Sequence, residues 1–250
     1  MTPQQENEIR TRLKNLGLQG CLARFDELIV EPWLPRLIDL EDDERSKRSL
    51  EYRFKAAKLD KFKHISEFDW SFPKKIDKPT IMGLFSLEFM KDAENIVFIG
   101  PNGVGKTIIA KNLAQKAIER GFTAHFVEAG PMLAKLAGLQ SSYTLDRWLK
   151  FFARPDLLII DEVGYLNYTD AYADLFFQLI NRRYLKKSTI ITTNKPFSQW
   201  SETFPNASCV VTLIDRLCHK AEITSIEGPS YRLKESQDRM KEKKLKGKSA

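Results

Sequence analysis

The sequence predicts an α/β protein with three layers, in which a parallel five-stranded sheet is flanked by helices and preceded by a small all-helical N-terminal domain. Short apolar segments alternate with amphipathic segments of helical period from residue 95 onward, and a glycine-rich loop joins the first of each kind. The first 60 residues, in contrast, carry only helical patterns. Regular alternation of strand and helix is typical of parallel sheets, because each helix returns the chain to the same end of the sheet.

The N-terminal helical domain is expected to occupy residues 1–63 and to serve in oligomerisation, partner binding or DNA binding. Apolar residues recur at helical spacing in three segments, 5–18, 21–30 and 42–59. Pro32 and Pro35 predict a break before the third segment. The stretch 64–79 is rich in aromatic residues and is predicted to be a linker that lies against the next domain.

The α/β domain is expected to fill residues 80–233. Its predicted strands are 95–99, 123–127, 156–161, 188–193 and 222–226. Its predicted helices are 106–120, 131–139, 145–152, 171–185 and 207–219. The third strand is apolar on both faces, which is typical of a central strand in a parallel sheet.

The net charge of +7 is concentrated at the C-terminus. Residues 234–250 carry seven Lys and Arg against three Asp and Glu, which leaves +4. Such a composition predicts a disordered basic tail, which would add non-specific attraction to a phosphate backbone.

Composition also excludes several classes of protein. No apolar run approaches the roughly 18 residues that a membrane span needs, and the polar N-terminus does not resemble a signal peptide. The cysteines are Cys21, Cys209 and Cys218, and their spacing fits neither a metal site nor a disulfide framework. We therefore expect a cytoplasmic protein with reduced thiols and no membrane partner.

The glycine-rich loop matches the phosphate-loop pattern G-x-x-x-x-G-K-[ST]. Glycines let backbone N–H groups surround a polyphosphate, and the helix that follows adds its positive end. Lys106 would contact the β- and γ-phosphates of ATP, and the Thr107 hydroxyl would ligate Mg²⁺. An apolar strand before the loop and an amphipathic helix after it favour this interpretation over a glycine-rich turn that binds nothing. The predicted ATP-binding residues here are Gly100, Pro101, Asn102, Gly103, Val104, Gly105, Lys106, Thr107 and Ile108.

Two acids end the third predicted strand. Asp161 is predicted to hold Mg²⁺, and Glu162 to act as the general base on a water molecule. Acids often end strands, so the pair alone is weak evidence. It gains weight because it follows a phosphate-loop lysine and because ligands collect at the carboxyl edge of a parallel sheet.

Three further polar residues are candidates. Asn194 follows the fourth strand and would orient the water beside the γ-phosphate, although Asn also forms turns readily. Arg216 would stabilise transition-state charge across a subunit boundary, or would form a salt bridge with a neighbouring acid such as Asp215. Arg232 would be a second phosphate contact or a surface residue, and the sequence leaves both open.

The order of these motifs resembles the AAA+ ATPases, and within them the IstB/DnaC-like branch. The segments that carry the resemblance to IstB-like transposition helper proteins are EFDWSFPK at 67–74, IDRL at 214–217 and EGPSYR at 227–232. The resemblance covers roughly residues 5–235. It implies an ATPase that forms ATP-dependent oligomers on duplex DNA and helps the transposase of the same element.

The resemblance also assigns roles residue by residue. Lys106 and Thr107 match the phosphate-loop positions, Asp161 and Glu162 the metal and water-activating positions, Asn194 the first sensor, and Arg216 the finger that acts on a neighbouring subunit. Arg232 lies near the second sensor, where this branch is irregular. The resemblance further implies that helices within 131–152 face DNA through Lys135, Arg147 and Lys150, for which a solvated helix face is the alternative.

Two other functions fit parts of the pattern. A replicative helicase loader of the DnaC type would use the same ATPase but prefer single-stranded DNA. A P-loop phosphotransferase acting on a small metabolite would share the phosphate loop, but Glu162, Asn194 and Arg216 argue against it.

Overall fold

In a computed structural model of the chain, the structure describes residues 2–165, 169–204 and 209–246. The chain divides into two compact units, Met1–Arg53 and Phe54–Ala250. The boundary therefore falls before the predicted one at residue 63. One reason is that the carbonyl of Ala56 accepts a hydrogen bond from His125 Nδ1 at 3.0 Å, which ties the segment after Arg53 to the second unit.

The first unit is helical, as predicted. Its helices are α1 Pro3–Leu16, α2 Gln19–Ala23, α3 Phe25–Leu28 and the first part of α4 Leu34–Ala57. Helix α4 begins earlier than predicted and includes Pro35. The proline is tolerated because it lies in the first turn, where the missing N–H has no hydrogen bond within the helix to lose. The core of this unit consists of Ile9, Leu13, Phe25, Leu34 and Ile38.

The second unit contains the predicted five-stranded parallel sheet. Its strands are β1 Asn95–Ile99, β2 Ala124–Glu128, β3 Leu157–Val163, β4 Ser188–Thr193 and β5 Ala221–Ser225. They lie in the order β2-β3-β4-β1-β5, and every pair in the sheet is parallel. Strands β1 and β4 are therefore neighbours, although two other strands separate them in the chain.

Helices flank this sheet and complete the three layers. They are α5 Lys78–Gly83, α6 Lys106–Glu119, α7 Ala129–Ala137, α8 Ser142–Ala153, α9 Asp170–Arg183, α10 Trp200–Thr203, α11 Val210–Cys218 and α12 Tyr231–Lys246. Short 3₁₀ turns lie at Ile65–Glu67, Leu84–Ser86, Glu88–Met90 and Phe197–Gln199. Within the described ranges, no helix combines the length and the apolar character needed to cross a membrane.

The C-terminal segment differs from the prediction. Residues 234–250 are predicted to be a disordered tail, but α12 runs as far as Lys246, and residues 247–250 lie outside the described ranges. Lys, Glu, Gln, Arg and Met dominate this segment, and all have high helix propensity. The first turn is also anchored, because the Tyr231 ring packs edge-on against Phe72 at 5.0 Å and Lys63 pairs with Glu235.

The buried core fixes the edge of the sheet where functional residues gather. Leu157, Leu158, Ile159 and Ile160 of β3 have no exposed surface, so the strand is immobilised on both faces. Because all five strands run in the same direction, the carboxyl ends of β1, β3 and β4 meet at one edge.

Candidate nucleotide-binding site

A glycine-rich loop turns from β1 into α6 at this edge. Gly103 and Gly105 have φ values of +80° and +102°, which side chains rarely adopt. A Cβ added to Gly105 would lie 2.4 Å from Cε2 of Phe68, and one added to Gly103 would lie 2.1 Å from Oγ of Ser230. Both positions therefore require glycine, and the loop presents backbone rather than side chains.

Lys106 begins α6 and is only 8% exposed. Its ammonium donates to the carbonyls of Gly100 at 2.7 Å and Pro101 at 2.8 Å. Burial lowers the pKa of Lys106 to about 8, although the carboxylates of Asp161 and Glu162 oppose this shift. A polyphosphate beside the loop would favour the charged ammonium and offset the cost of its burial.

Asp161 is buried at the end of β3 and meets two hydroxyl groups. Thr107 Oγ1 lies 3.0 and 3.1 Å from its two carboxylate oxygens, and Thr192 Oγ1 lies 2.5 Å from Oδ1. A carboxylate and a threonine hydroxyl in contact are the hard oxygen ligands that Mg²⁺ prefers. The described residues contain no cluster of three His, Cys, Asp or Glu side chains able to hold a metal. The carboxylate and the hydroxyl supply two oxygen ligands, which fits an ion that would also bind nucleotide phosphates.

Glu162 owes its position to a break in strand pairing. The register of β3 against β4 shifts between Ile160 and Val163, and Glu162 adopts a φ of +60°. In an unbroken strand, consecutive side chains point to opposite faces, whereas a bulge re-aims them. Here Asp161 contacts Thr107 while the adjacent Glu162 lines the cavity beside the loop. Burial raises the pKa of Glu162, and the carboxylates of Asp161 and Glu128 add to the shift.

A cavity of about 310 Å³ lies in front of the loop. Of the predicted ATP-binding residues, the cavity lining includes Asn102, Gly103, Val104, Gly105, Lys106, Thr107, Ile108 and Arg232. Gly100 and Pro101 are not part of the lining, and their carbonyls accept the hydrogen bonds from Lys106. Asn194 also lines the cavity, at the end of β4.

Aromatic residues also line the cavity. Phe68 and Phe72 come from the predicted linker, Phe62 lies just before it, and Tyr231 comes from the first turn of α12. The sequence predicted that the linker would lie against this domain, but it did not assign these side chains to the site. The aromatic spacing in 62–72 is the signal that could have identified them, since a nucleotide base stacks on aromatic rings.

Arg216 does not line this cavity. It lies on α11, where its guanidinium donates to Asn181 Oδ1 and lies 4.7 Å from the centre of the Phe177 ring. The hydrogen-bond partner found for Arg216 is Asn181 on α9, which is an amide and not an acid such as Asp215. Within one chain, the structure does not bring Arg216 together with the phosphate loop.

The predicted DNA-contacting residues lie on α7 and α8. Lys135 stacks over the Trp148 ring at 3.3 Å, and Lys150 pairs with Asp146 at 2.8 Å. Arg147 is exposed. Lys135 and Lys150 thus have partners within the chain, and neither residue lines the cavity.

The sheet order, the phosphate loop between β1 and α6, and the acids that end β3 together define a P-loop nucleotide-binding protein with the AAA+ fold. The chain belongs to the family of IstB-like ATP binding proteins, whose family model matches residues 15–239. This result confirms the resemblance seen in the sequence.

Relatives cover most of the chain. It is 38% identical over 228 residues to the putative ATP-binding protein of insertion sequence IS232 from Bacillus thuringiensis subsp. berliner, with 91% of each chain covered. It is 37% identical over 213 residues to the corresponding IS21 protein of Pseudomonas aeruginosa, which covers 85% of this chain and 80% of the relative.

Solved structures support the fold. DnaI superposes with a TM-score of 0.56 at 17% identity, covering 65% of this chain and 90% of DnaI. The replication initiator DnaA bound to AMPPCP and single-stranded DNA gives a TM-score of 0.54 at 18% identity, covering 72% of this chain and 54% of DnaA. At these identities the likeness establishes the fold alone.

Proposed function

We propose that this protein hydrolyses ATP to ADP and phosphate with Mg²⁺ as cofactor. The observation that carries the proposal is the contact of Asp161 with Thr107 while the adjacent Glu162 faces the phosphate-loop cavity. A protein that only bound ATP would need no general base beside the phosphates. When bound, Mg²⁺ would neutralise charge on the phosphates.

The side chains have separate roles in this reaction. The loop amides and Lys106 hold the phosphates, and Thr107 and Asp161 hold the metal. Glu162 accepts a proton from the attacking water, and its raised pKa makes it a stronger base than an ordinary carboxylate. Asn194 orients this water, and Arg232, which also lines the cavity, contacts phosphate as a second sensor.

Arg216 is proposed to act in a neighbouring subunit. Its separation from the cavity of its own chain supports this assignment, since an arginine that serves in cis would line that cavity. Asn181 and Phe177 hold the guanidinium in a defined direction, which suits a finger presented to another chain. The protein would therefore oligomerise when ATP is bound.

We further propose that the oligomer assembles in the cytoplasm on duplex DNA and helps the transposase of the same element to select and use target DNA. The relatives named as insertion-sequence proteins support this role. Arg147 is the strongest candidate for a phosphate contact on α8, because Lys135 and Lys150 already have partners in the chain. The N-terminal helical unit would bind partners or neighbouring subunits.

The test combines light scattering with phosphate release. Protein is incubated with ATP and Mg²⁺, alone or with duplex or single-stranded DNA, at two salt concentrations. We expect large assemblies with ATP and duplex, weaker at the higher salt because phosphate contacts release counterions, together with steady release of phosphate.

Other outcomes would redirect the assignment. A preference for single-stranded DNA would favour a helicase loader. A protein that ignores DNA and transfers phosphate to a metabolite would be a phosphotransferase. The Arg147→Ala variant should weaken assembly on duplex without changing ATP binding.

A further inference from the structure

The bulge that places Glu162 leaves one residue of β4 opposite two residues of β3. Pairing runs from Ile160↔Ile191 to Val163↔Thr193, so Thr192 alone faces both Asp161 and Glu162. Regular pairing of β3 with β4 therefore cannot provide backbone hydrogen bonds for both acids. The Glu162 N–H donates instead to the Thr192 side chain, at 2.9 Å from Oγ1.

The same hydroxyl also holds the other acid. Thr192 Oγ1 donates to Asp161 Oδ1 at 2.5 Å. The hydroxyl of Thr192 has one hydrogen, which it donates to Asp161. One of its lone pairs accepts the hydrogen bond from the Glu162 N–H. Thr192 has no exposed surface, so water does not compete for either bond. One buried oxygen thus connects the predicted metal ligand to the predicted general base.

The arrangement also holds a strained residue. Glu162 has a φ of +60°, which is uncommon for residues other than glycine and persists only where the surroundings enforce it. The bond from the Glu162 N–H to Thr192 is a direct restraint on that peptide unit. Without it, we expect the backbone at Glu162 to relax toward regular pairing and the carboxylate to turn away from the cavity.

We propose that Thr192 is a positioning residue, whose hydroxyl sets the directions of Asp161 and Glu162 together. The proposal rests on the proposed ATP hydrolysis. It assigns no contact with substrate to Thr192, which acts only through the two acids.

Thr192→Val tests the proposal, because valine keeps the branched shape and removes both hydrogen bonds. We expect kcat for ATP hydrolysis to fall roughly tenfold to a hundredfold, as for outer residues that orient metal ligands. The KM for ATP at saturating Mg²⁺ should change little, because the loop and Lys106 are untouched. The Mg²⁺ concentration needed for half-maximal ATP binding should rise.

Two further variants separate positioning from packing. Thr192→Ser restores the hydroxyl and should recover most of kcat and the Mg²⁺ dependence. Thr224→Val is the matched control on β5, because the Thr224 hydroxyl is buried and has no hydrogen-bond partner among the described residues. Its kcat should equal that of the wild type.

The outcomes are distinct. Normal kcat in Thr192→Val, or an equal loss in all three variants, would overturn the proposal. If the wild type binds ATP but releases no phosphate, the proposed hydrolysis fails, and Thr192 is then judged by Mg²⁺-dependent ATP binding. An unchanged Mg²⁺ dependence in Thr192→Val would then overturn the positioning role as well.

Discussion

The Thr107 hydroxyl lies within 3.1 Å of both carboxylate oxygens of Asp161, although the two residues are 54 positions apart in the chain. Thr107 lies in the first turn of α6 and Asp161 near the carboxyl end of β3, so the parallel sheet is what brings them together. Their contact predicts that ATP and Mg²⁺ bind cooperatively at this edge.

Replacing Asp161 with Asn should remove this cooperativity. The amide is a weaker ligand than a carboxylate, so we expect Mg²⁺ to enhance ATP binding about tenfold less than in the wild type. Binding without Mg²⁺ should persist, because the loop and Lys106 remain. Titration of a fluorescent ATP analogue with and without Mg²⁺ measures both quantities.

The exposed Asp92, in the turn before β1, provides the charge-matched control. Asp92→Asn should show the full Mg²⁺ enhancement. If Asp161→Asn shows it too, Asp161 is not a metal ligand.

Glu162→Gln should preserve ATP binding and lower the rate of hydrolysis by roughly 10²-fold or more, which is the usual effect of removing a general base. The amide keeps the shape of the side chain but cannot accept the proton from water. Single-turnover phosphate release and nucleotide binding are measured on the same preparation. The control, Glu128→Gln, removes a carboxylate from the end of neighbouring β2 and should retain most of the activity. Normal turnover in Glu162→Gln would refute the assignment of Glu162 as the general base.

Local patterns were sufficient to predict the sheet and the polar side chains that the structure brings to its carboxyl edge. The apolar strands and the glycine-rich loop are short-range signals, and parallel pairing then requires their carboxyl ends to meet. The left-handed backbone at Glu162 has no such signal, because it arises from the register of β3 against β4. The contact of Phe68 with Gly105 is equally non-local, since it depends on the path of the linker.

Two helices differ from what local composition indicated, each for a specific physical reason. Pro35 indicated a break because proline interrupts helix interiors, yet it lies in the first turn of α4, where its missing N–H has no intrahelical partner to lose. The charged segment after Arg232 indicated disorder by composition, yet Tyr231 and Glu235 anchor it to Phe72 and Lys63.

Arg216→Ala should leave ATP binding by the monomer intact and lower hydrolysis by roughly 10³-fold or more, as expected for an arginine finger. Mixing it with Glu162→Gln should restore activity, because a subunit with intact Glu162 can then lie beside one with intact Arg216. With random equal mixing, roughly a quarter of head-to-tail interfaces carry both intact residues. Phosphate release across a series of mixing ratios measures the recovery.

In the control mixture, Arg216→Ala is combined with a double variant that carries both Glu162→Gln and Arg216→Ala. It supplies no intact arginine and should restore nothing. Absence of recovery in the first mixture at every ratio would contradict action between subunits.

His125 should make the second unit less stable at mildly acidic pH. It is buried in β2, and burial lowers its pKa, with the charge of Lys58 contributing in the same direction. The folded state therefore keeps His125 neutral at pH values where the unfolded chain, with a histidine pKa of about 6.5, takes up a proton. The folded state therefore loses stability as the pH falls through the histidine pKa of the unfolded chain, and it keeps its full stability above that pKa.

Urea unfolding of wild type and His125→Asn from pH 8 to pH 5.5 measures this effect. The comparison at pH 8 isolates the packing cost of losing the ring contacts with Phe151 and Phe152. We expect the wild type to lose more stability on acidification than the variant, and parallel curves for the two proteins would show that His125 is not the group responsible.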